Sequence, residues 1–103
     1  MSMDAYTYLF VGAPIYEIPG SNAEDFDCWE FAAQTSTEVF DKEFEYCSHV
    51  GIRVTTLNSL ETGLKEVTPQ AIEETKQCFL RGLASQGITE VKPRLYLNTY
   101  ISV

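Results

Sequence analysis

The sequence predicts an α+β fold in which strands and helices follow the order β, α, β, β, α, β. Three observations predict it: apolar, strand-like segments lie at both ends of the chain, two segments carry helix caps with helical spacing of apolar residues, and the stretch between them alternates with period two. This order is the split βαβ pattern of the ferredoxin-like architecture, a four-stranded antiparallel sheet with two helices on one face. With 103 residues, we expect one domain, 1–103, with one core.

The first predicted strand is 5–11, AYTYLFV, whose aromatic and β-branched residues are apolar on both faces, as in a central strand. Pro14 and the Pro19-Gly20 pair then indicate a loop, because these residues favour turns. Three apolar side chains lie in this loop: Ile15, Tyr16 and Ile18. They suit either an interface or lid, or a cover over the open end of the core.

A first helix is predicted to begin at Ser21, which forms a capping box with Glu24, and to end near Gln34. Asp25 and Asp27 would then lie in its first turns, where carboxylates favour the positive end of the helix dipole. Its predicted apolar face follows the three-and-four spacing of a helix that is buried on one side. This face comprises Ala23, Phe26, Trp29 and Ala33.

The segment 40–56 alternates with period two, which predicts strand. Because it is too long for an ordinary strand, we expect a hairpin with its turn around Ser48 and Gly51, and a third strand over 50–57. The charged second strand would then lie at an edge of the sheet, where charges discourage unwanted pairing. An alternative makes 36–47 a helix, because a second capping box and helical spacing also occur there.

The second helix and the last strand follow. Thr68 is the predicted N-cap, Pro69 occupies the first helical position, and Gly87 suits a left-handed C-terminal position. The expected buried face of this helix comprises Ile72, Phe79 and Leu83. Alternation from Leu95 to Val103 predicts the final strand.

Charge is distributed unevenly along the chain. Residues 1–50 hold ten of the fifteen carboxylates and one of the seven basic residues, a net charge of about −9. This opposes binding to nucleic acid and to anionic membranes, and favours a basic protein as partner. The predicted acidic surface comprises Glu24, Asp25, Asp27, Glu30, Asp41, Glu43 and Glu45.

The cysteines and the chain start predict a cytoplasmic protein. Cys28, Cys47 and Cys78 are odd in number and widely spaced, which favours reduced thiols packed as small hydrophobic side chains. The first ten residues have no basic segment followed by a long apolar one, so no secretory signal is visible. No apolar run approaches the length of a membrane span.

His49, the single histidine, is the candidate for a catalytic residue. It shares its parity with Glu43, Glu45 and Cys47, but ligands two apart on one strand are separated by roughly 6–7 Å. They do not converge on one metal ion without a bulge or other partners. We therefore predict no metal and no cofactor, and the absence of a catalytic motif favours a role without catalysis.

Tyrosines carry the main functional prediction. Tyr6 and Tyr8 share one parity in the first strand, as do Tyr96 and Tyr100 in the last, and these strands are neighbours in the predicted sheet. We expect an interaction or ligand-binding module that forms a homodimer through this face. Two alternatives stay open: a small enzyme using His49 or a tyrosine as acid or base, and an acidic inhibitor or immunity-type protein that binds a basic partner.

Overall fold

The computed structural model describes residues 4–42, 45–58 and 65–102, and these form a four-stranded antiparallel sheet and two α-helices. The elements are β1 Asp4–Pro14, a 3₁₀ turn Ile15–Glu17, α1 Cys28–Thr35, β2 Glu38–Lys42, β3 Glu45–Asn58, α2 Pro69–Ala84 and β4 Arg94–Ser102. The sheet order is β2-β3-β1-β4, so β3 and β1 are central and β2 and β4 are edges. The α+β class is thereby confirmed.

Two glycines allow the central strands to approach each other closely. Gly12 of β1 pairs with Gly51 of β3. A Cβ atom on Gly12 would collide with the carbonyl oxygen of Val50, and one on Gly51 would collide with that of Val11. Space rather than an unusual backbone angle therefore requires glycine at both positions.

One face of the sheet, here called the helix face, packs against both helices. Ala13 and Val50 lie on this face with no exposed surface, and they share one hydrophobic cluster with Phe31 of α1 and with Phe79 and Leu83 of α2. The rest of the cluster comprises Ile18 and Val91, with Ile15, Phe26, Val39, Ile52 and Ile88 packed partly buried against it.

Helix α2 has the predicted N-terminus. The Thr68 side chain accepts a hydrogen bond from the Ala71 backbone N–H at 3.1 Å, and Pro69 occupies the first helical turn. Gly87 has a φ of 76° just beyond the end of the helix. In the part of the chain that the structure describes, no helix is both long and apolar enough to cross a membrane.

The prediction for α1 was wrong at its start. The helix begins at Cys28, not at Ser21, because the Asp27 side chain caps it by accepting the backbone N–H groups of Trp29 and Glu30 at 2.9 and 3.3 Å. The segment before Asp27 instead forms successive turns closed by backbone hydrogen bonds. Asp27, six positions after Ser21, is therefore the N-cap that sets the start of the helix.

The predicted apolar face of α1 was also incorrect. Phe31, Ala32 and Thr35 are the buried residues, whereas Trp29 is 64 % exposed. Thr35 tolerates burial because its hydroxyl donates to the Phe31 carbonyl at 2.9 Å. Of the predicted set Ala23, Phe26, Trp29 and Ala33, Phe26 alone packs against the core, from the turn before the helix.

The hairpin lies elsewhere than predicted. Ser48 and Gly51 are inside β3, and β2 and β3 are separated by residues 43–44. The alternative helix over 36–47 is likewise wrong, because Glu38–Lys42 is a strand. Phe40 pairs with His49 across the hairpin, so these two side chains share a face although their numbers differ in parity.

Two of the three cysteines form a disulfide, which corrects the prediction of reduced thiols. Cys28, the first residue of α1, is bonded to Cys47 in β3, with their Cα atoms 6.5 Å apart. Cys78 is a free, exposed thiol on α2. Wide spacing along the chain does not exclude a pair that the fold brings together. The disulfide removes one of the observations from which a cytoplasmic protein was predicted.

Candidate functional site: the aromatic face

The face of the sheet opposite the helix face carries rings from all four strands. Alternation along β1 places Phe10 on this side and Val11 on the other. We call the following set the aromatic face: Tyr6, Tyr8 and Phe10 of β1, Phe40 of β2, His49 of β3 and Tyr96 of β4.

Two phenylalanines form the centre of the aromatic face. Phe10 and Phe40 stack with ring centroids 3.9 Å apart and planes 6° from parallel, and Tyr96 stacks on Phe10 at 5.1 Å. Phe10 is 3 % and Phe40 5 % exposed, although both described helices lie on the other side of the sheet. The rings bury one another, and Tyr6, Tyr8 and Tyr96 remain half-buried around them.

His49 lies within this cluster. Its ring meets Tyr96 at 4.8 Å and 69°, and meets Phe10 at 6.4 Å and 75°. The Ser48 hydroxyl donates to the Phe40 carbonyl at 3.2 Å and lies 2.8 Å from His49 Nδ1. Because a hydroxyl has one proton to donate, this pair of contacts favours the imidazole tautomer that carries a proton on Nδ1.

A cation borders the aromatic face at β3. The Arg53 guanidinium lies 4.1 Å from the centroid of the Tyr8 ring, and its Nε is 3.0 Å from the Glu38 carboxylate. It also lies 5.8 Å from the centroid of Phe40. Arg53 therefore lies over aromatic ring surface while its charge is paired.

A second guanidinium lies at the start of β4. Arg94 Nη2 donates to the Glu17 carboxylate at 2.7 Å, which ties β4 to the 3₁₀ turn after β1. Hydrogen bonding with Tyr96, and then with Glu17, raises the pKa of Arg94 above its ordinary value. This group is cationic throughout the range in which proteins fold, so its pairing with Glu17 depends on the carboxylate alone.

A cleft of about 310 Å³ opens in the aromatic face. Its lining comprises Phe10, Phe40, Asp41, His49, Tyr96, Leu97 and Asn98. The Asp41 side chain is held in place there, because its Oδ1 accepts the Cys47 backbone N–H at 2.6 Å. Apolar walls with a few polar groups are typical of binding clefts, and this volume is at the small end of the usual range.

The loop residues of the prediction separate into two kinds. Ile18 is buried in the core and Ile15 packs against it, so both cover the open end of the core. Tyr16 is 80 % exposed. Tyr100 pairs with Tyr6 through the backbone, and its side chain lies outside the described part of the structure.

The described acidic residues of the predicted surface have different surroundings. The carboxylates of Asp27 and Asp41 accept hydrogen bonds from backbone N–H groups, as described above. Asp25, Asp27 and Glu30 line a separate cleft of about 280 Å³ beside α1, and Glu24 is exposed nearby in the chain. Glu43 and the side chain of Glu45 lie outside the described residues.

Metal binding finds no support among the residues that the structure describes, since they contain no cluster of three or more His, Cys, Asp or Glu side chains suited to an ion. Cys47, one of the four residues considered for such a site, is joined to Cys28.

Sequence reasoning missed Phe10, Phe40 and Arg53 as members or neighbours of the aromatic face. For Phe10 a signal existed, because it shares its parity with Tyr6 and Tyr8. For Phe40 none did, because its parity relative to β3 depends on where the hairpin turns.

Comparison with protein-family models, curated proteins and solved structures finds no match to this chain.

Proposed function

We propose that the protein is a non-catalytic interaction module that forms a homodimer, and that the aromatic face is the surface through which it binds. The observation that carries this proposal is the packed ring cluster on a side of the sheet that neither described helix covers. Stacked rings with half-buried tyrosines at their margin offer a large apolar area with polar tips, a composition enriched at interfaces.

The shape of the molecule supports the same proposal. Its principal extents are 42 × 33 × 17 Å. The smallest of them is the thickness of one sheet layer and one helix layer. A two-layer slab leaves one sheet face without a protein layer of its own. Contact with a second molecule would remove that apolar surface from water.

The finer fold assignment belongs to this proposal. We propose that residues 1–103 form one domain of the ferredoxin-like class. The strand order β2-β3-β1-β4 and the single cluster shared by both helices support it. In this architecture the sheet has one open face, which is where the aromatic rings lie.

The test of dimerisation uses tyrosines of β4. Sedimentation equilibrium of the full chain is expected to give a dimer whose dissociation constant rises at least tenfold in the double variant Tyr96→Ser, Tyr100→Ser. Each substitution removes an aromatic ring from the proposed contact. The matched control is Tyr16→Ser, the same change at a tyrosine that is exposed outside the aromatic face.

The control variant should dimerise as the native chain does. A native chain that stays monomeric at several hundred micromolar contradicts the proposal. So does a double variant that folds and dimerises with unchanged affinity.

A further inference from the structure

The two edges of the sheet differ in how they are protected. Edge strand β2, EVFDK, carries three charged residues in five, and such charges discourage pairing with another chain. Edge strand β4, RLYLNTYIS, carries one in nine, Arg94 at its first position. That charge is paired with Glu17 in the same molecule. The eight remaining residues of β4 present no charge to an approaching strand.

Apolar side chains are also exposed along β4. Leu95 is 48 % and Leu97 73 % exposed, and alternation places both on the helix face. Leu97 pairs with Leu9 of β1, beyond the part of the sheet that α2 covers at Ala13 and Val50. On the other side of the same strand, Tyr96 belongs to the aromatic face. β4 is therefore an edge with exposed or half-buried apolar groups on both sides.

We propose that a second copy of this chain docks along β4, pairing antiparallel with the β4 strand of the first copy to form a continuous eight-stranded sheet. The proposal rests on the homodimer proposed above and specifies that its two subunits meet at the β4 margin of the aromatic face. It joins the two aromatic faces side by side at Tyr96 and, on the other side, places the two exposed Leu97 side chains diagonally across the new strand pair. The backbone groups at the outer edge of β4 gain partners.

Charge favours a second copy at this place. The chain carries a net charge of −8, so two copies repel each other over most orientations. Residues 95–102 contain no carboxylate, so pairing at β4 avoids placing acidic side chains opposite each other. A two-fold axis near Asn98 also separates the two Arg94 side chains, because an antiparallel arrangement sends them to opposite ends of the paired strands.

The test places a charge on the edge without replacing any ring of the aromatic face. Leu97→Lys is expected to raise the dissociation constant of the dimer at least tenfold, since lysine on an edge strand opposes pairing. The matched control is Leu57→Lys, the same substitution at an exposed leucine of β3, a strand that β1 separates from β4. It should leave the dissociation constant within about twofold. Thermal unfolding of both variants verifies that each is folded.

Hydrogen exchange of the native chain gives an independent measurement. Backbone amides of β4 that point away from β1 should exchange at least tenfold more slowly at a concentration that favours the dimer than in dilute solution. The amides already paired with β1 serve as the internal reference.

Two outcomes overturn the proposal in distinguishable ways. If Leu97→Lys dimerises like the native chain while Tyr96→Ser, Tyr100→Ser does not, the copies pack face to face and the homodimer stands without strand pairing. If the native chain is monomeric, both proposals fail. The pairing of two copies is also overturned if the outer amides of β4 exchange slowly only when a peptide of another protein is bound to the monomer.

Discussion

The two faces of the sheet bury their central residues by different means. On the helix face, Val50 is covered by side chains from α1 and α2. On the aromatic face, Phe10 and Phe40 are nearly as buried, but the groups that cover them are neighbouring rings in the same sheet. The first arrangement needs two helices to cover the sheet, and the covered residues have little surface left for contact with another molecule. The second leaves an outer margin of half-buried tyrosines that is available for contact.

The largest expected effect comes from removing one buried ring from the cluster on the helix face. Phe79→Ala should lower the free energy of unfolding by about 3–5 kcal/mol, because Phe79 has no exposed surface and joins α2 to the sheet. Urea unfolding measures the loss. Ile72→Ala on the same helix is the matched control, and its half-buried side chain should cost less. Equal losses would show that the cluster around Phe79 is not the stabilising contact.

A smaller effect distinguishes ring stacking from plain burial on the aromatic face. A double-mutant cycle of Phe10→Leu and Phe40→Leu should show a coupling free energy of about 1 kcal/mol, because leucine retains much of the apolar volume but not the ring geometry. The measurement is urea unfolding of the native chain, both single variants and the double variant. Strictly additive losses would mean that the stack adds nothing beyond buried area.

The smallest effect concerns the border of the aromatic face. Arg53→Met should lower the free energy of unfolding by less than about 1 kcal/mol, since the guanidinium is exposed and its ion pair with Glu38 is screened. Glu38→Gln removes the ion pair but keeps the contact of Arg53 with Tyr8. If both variants lose the same amount and 0.5 M salt abolishes both losses, the ring contact contributes nothing.

The sequence predicted α2 better than any other element. Thr68, Pro69 and Gly87 signal its ends by local chemistry, and the structure uses all three as expected. The tyrosines of β1 and β4 were assigned to a common face by alternation, and the described rings Tyr6, Tyr8 and Tyr96 lie there. The ends of α2 needed information from neighbouring residues alone, whereas the common face of the tyrosines also needed the predicted order of the strands.

The remaining elements depended on contacts between distant residues. Phe40 and Val50 have the same parity and are both buried, but on opposite faces, so alternation could not locate the turn between them. Thr35 of α1 is buried where Gly82 of α2 lies against its carbonyl group, an approach that no hydrophobic pattern indicates. The pairing of Cys28 with Cys47 likewise follows from the fold, not from spacing.

The disulfide makes the stability of the fold depend on its redox surroundings. It closes a loop across a sequence separation of 19, and in the chain-entropy model such a crosslink restricts the unfolded chain enough to stabilise the native state by about 3 kcal/mol. Both cysteines are half-buried, so a thiol reductant has partial access to the bond. A reducing medium would give the unfolded chain back this freedom and so lower the stability of the whole fold, the aromatic face included.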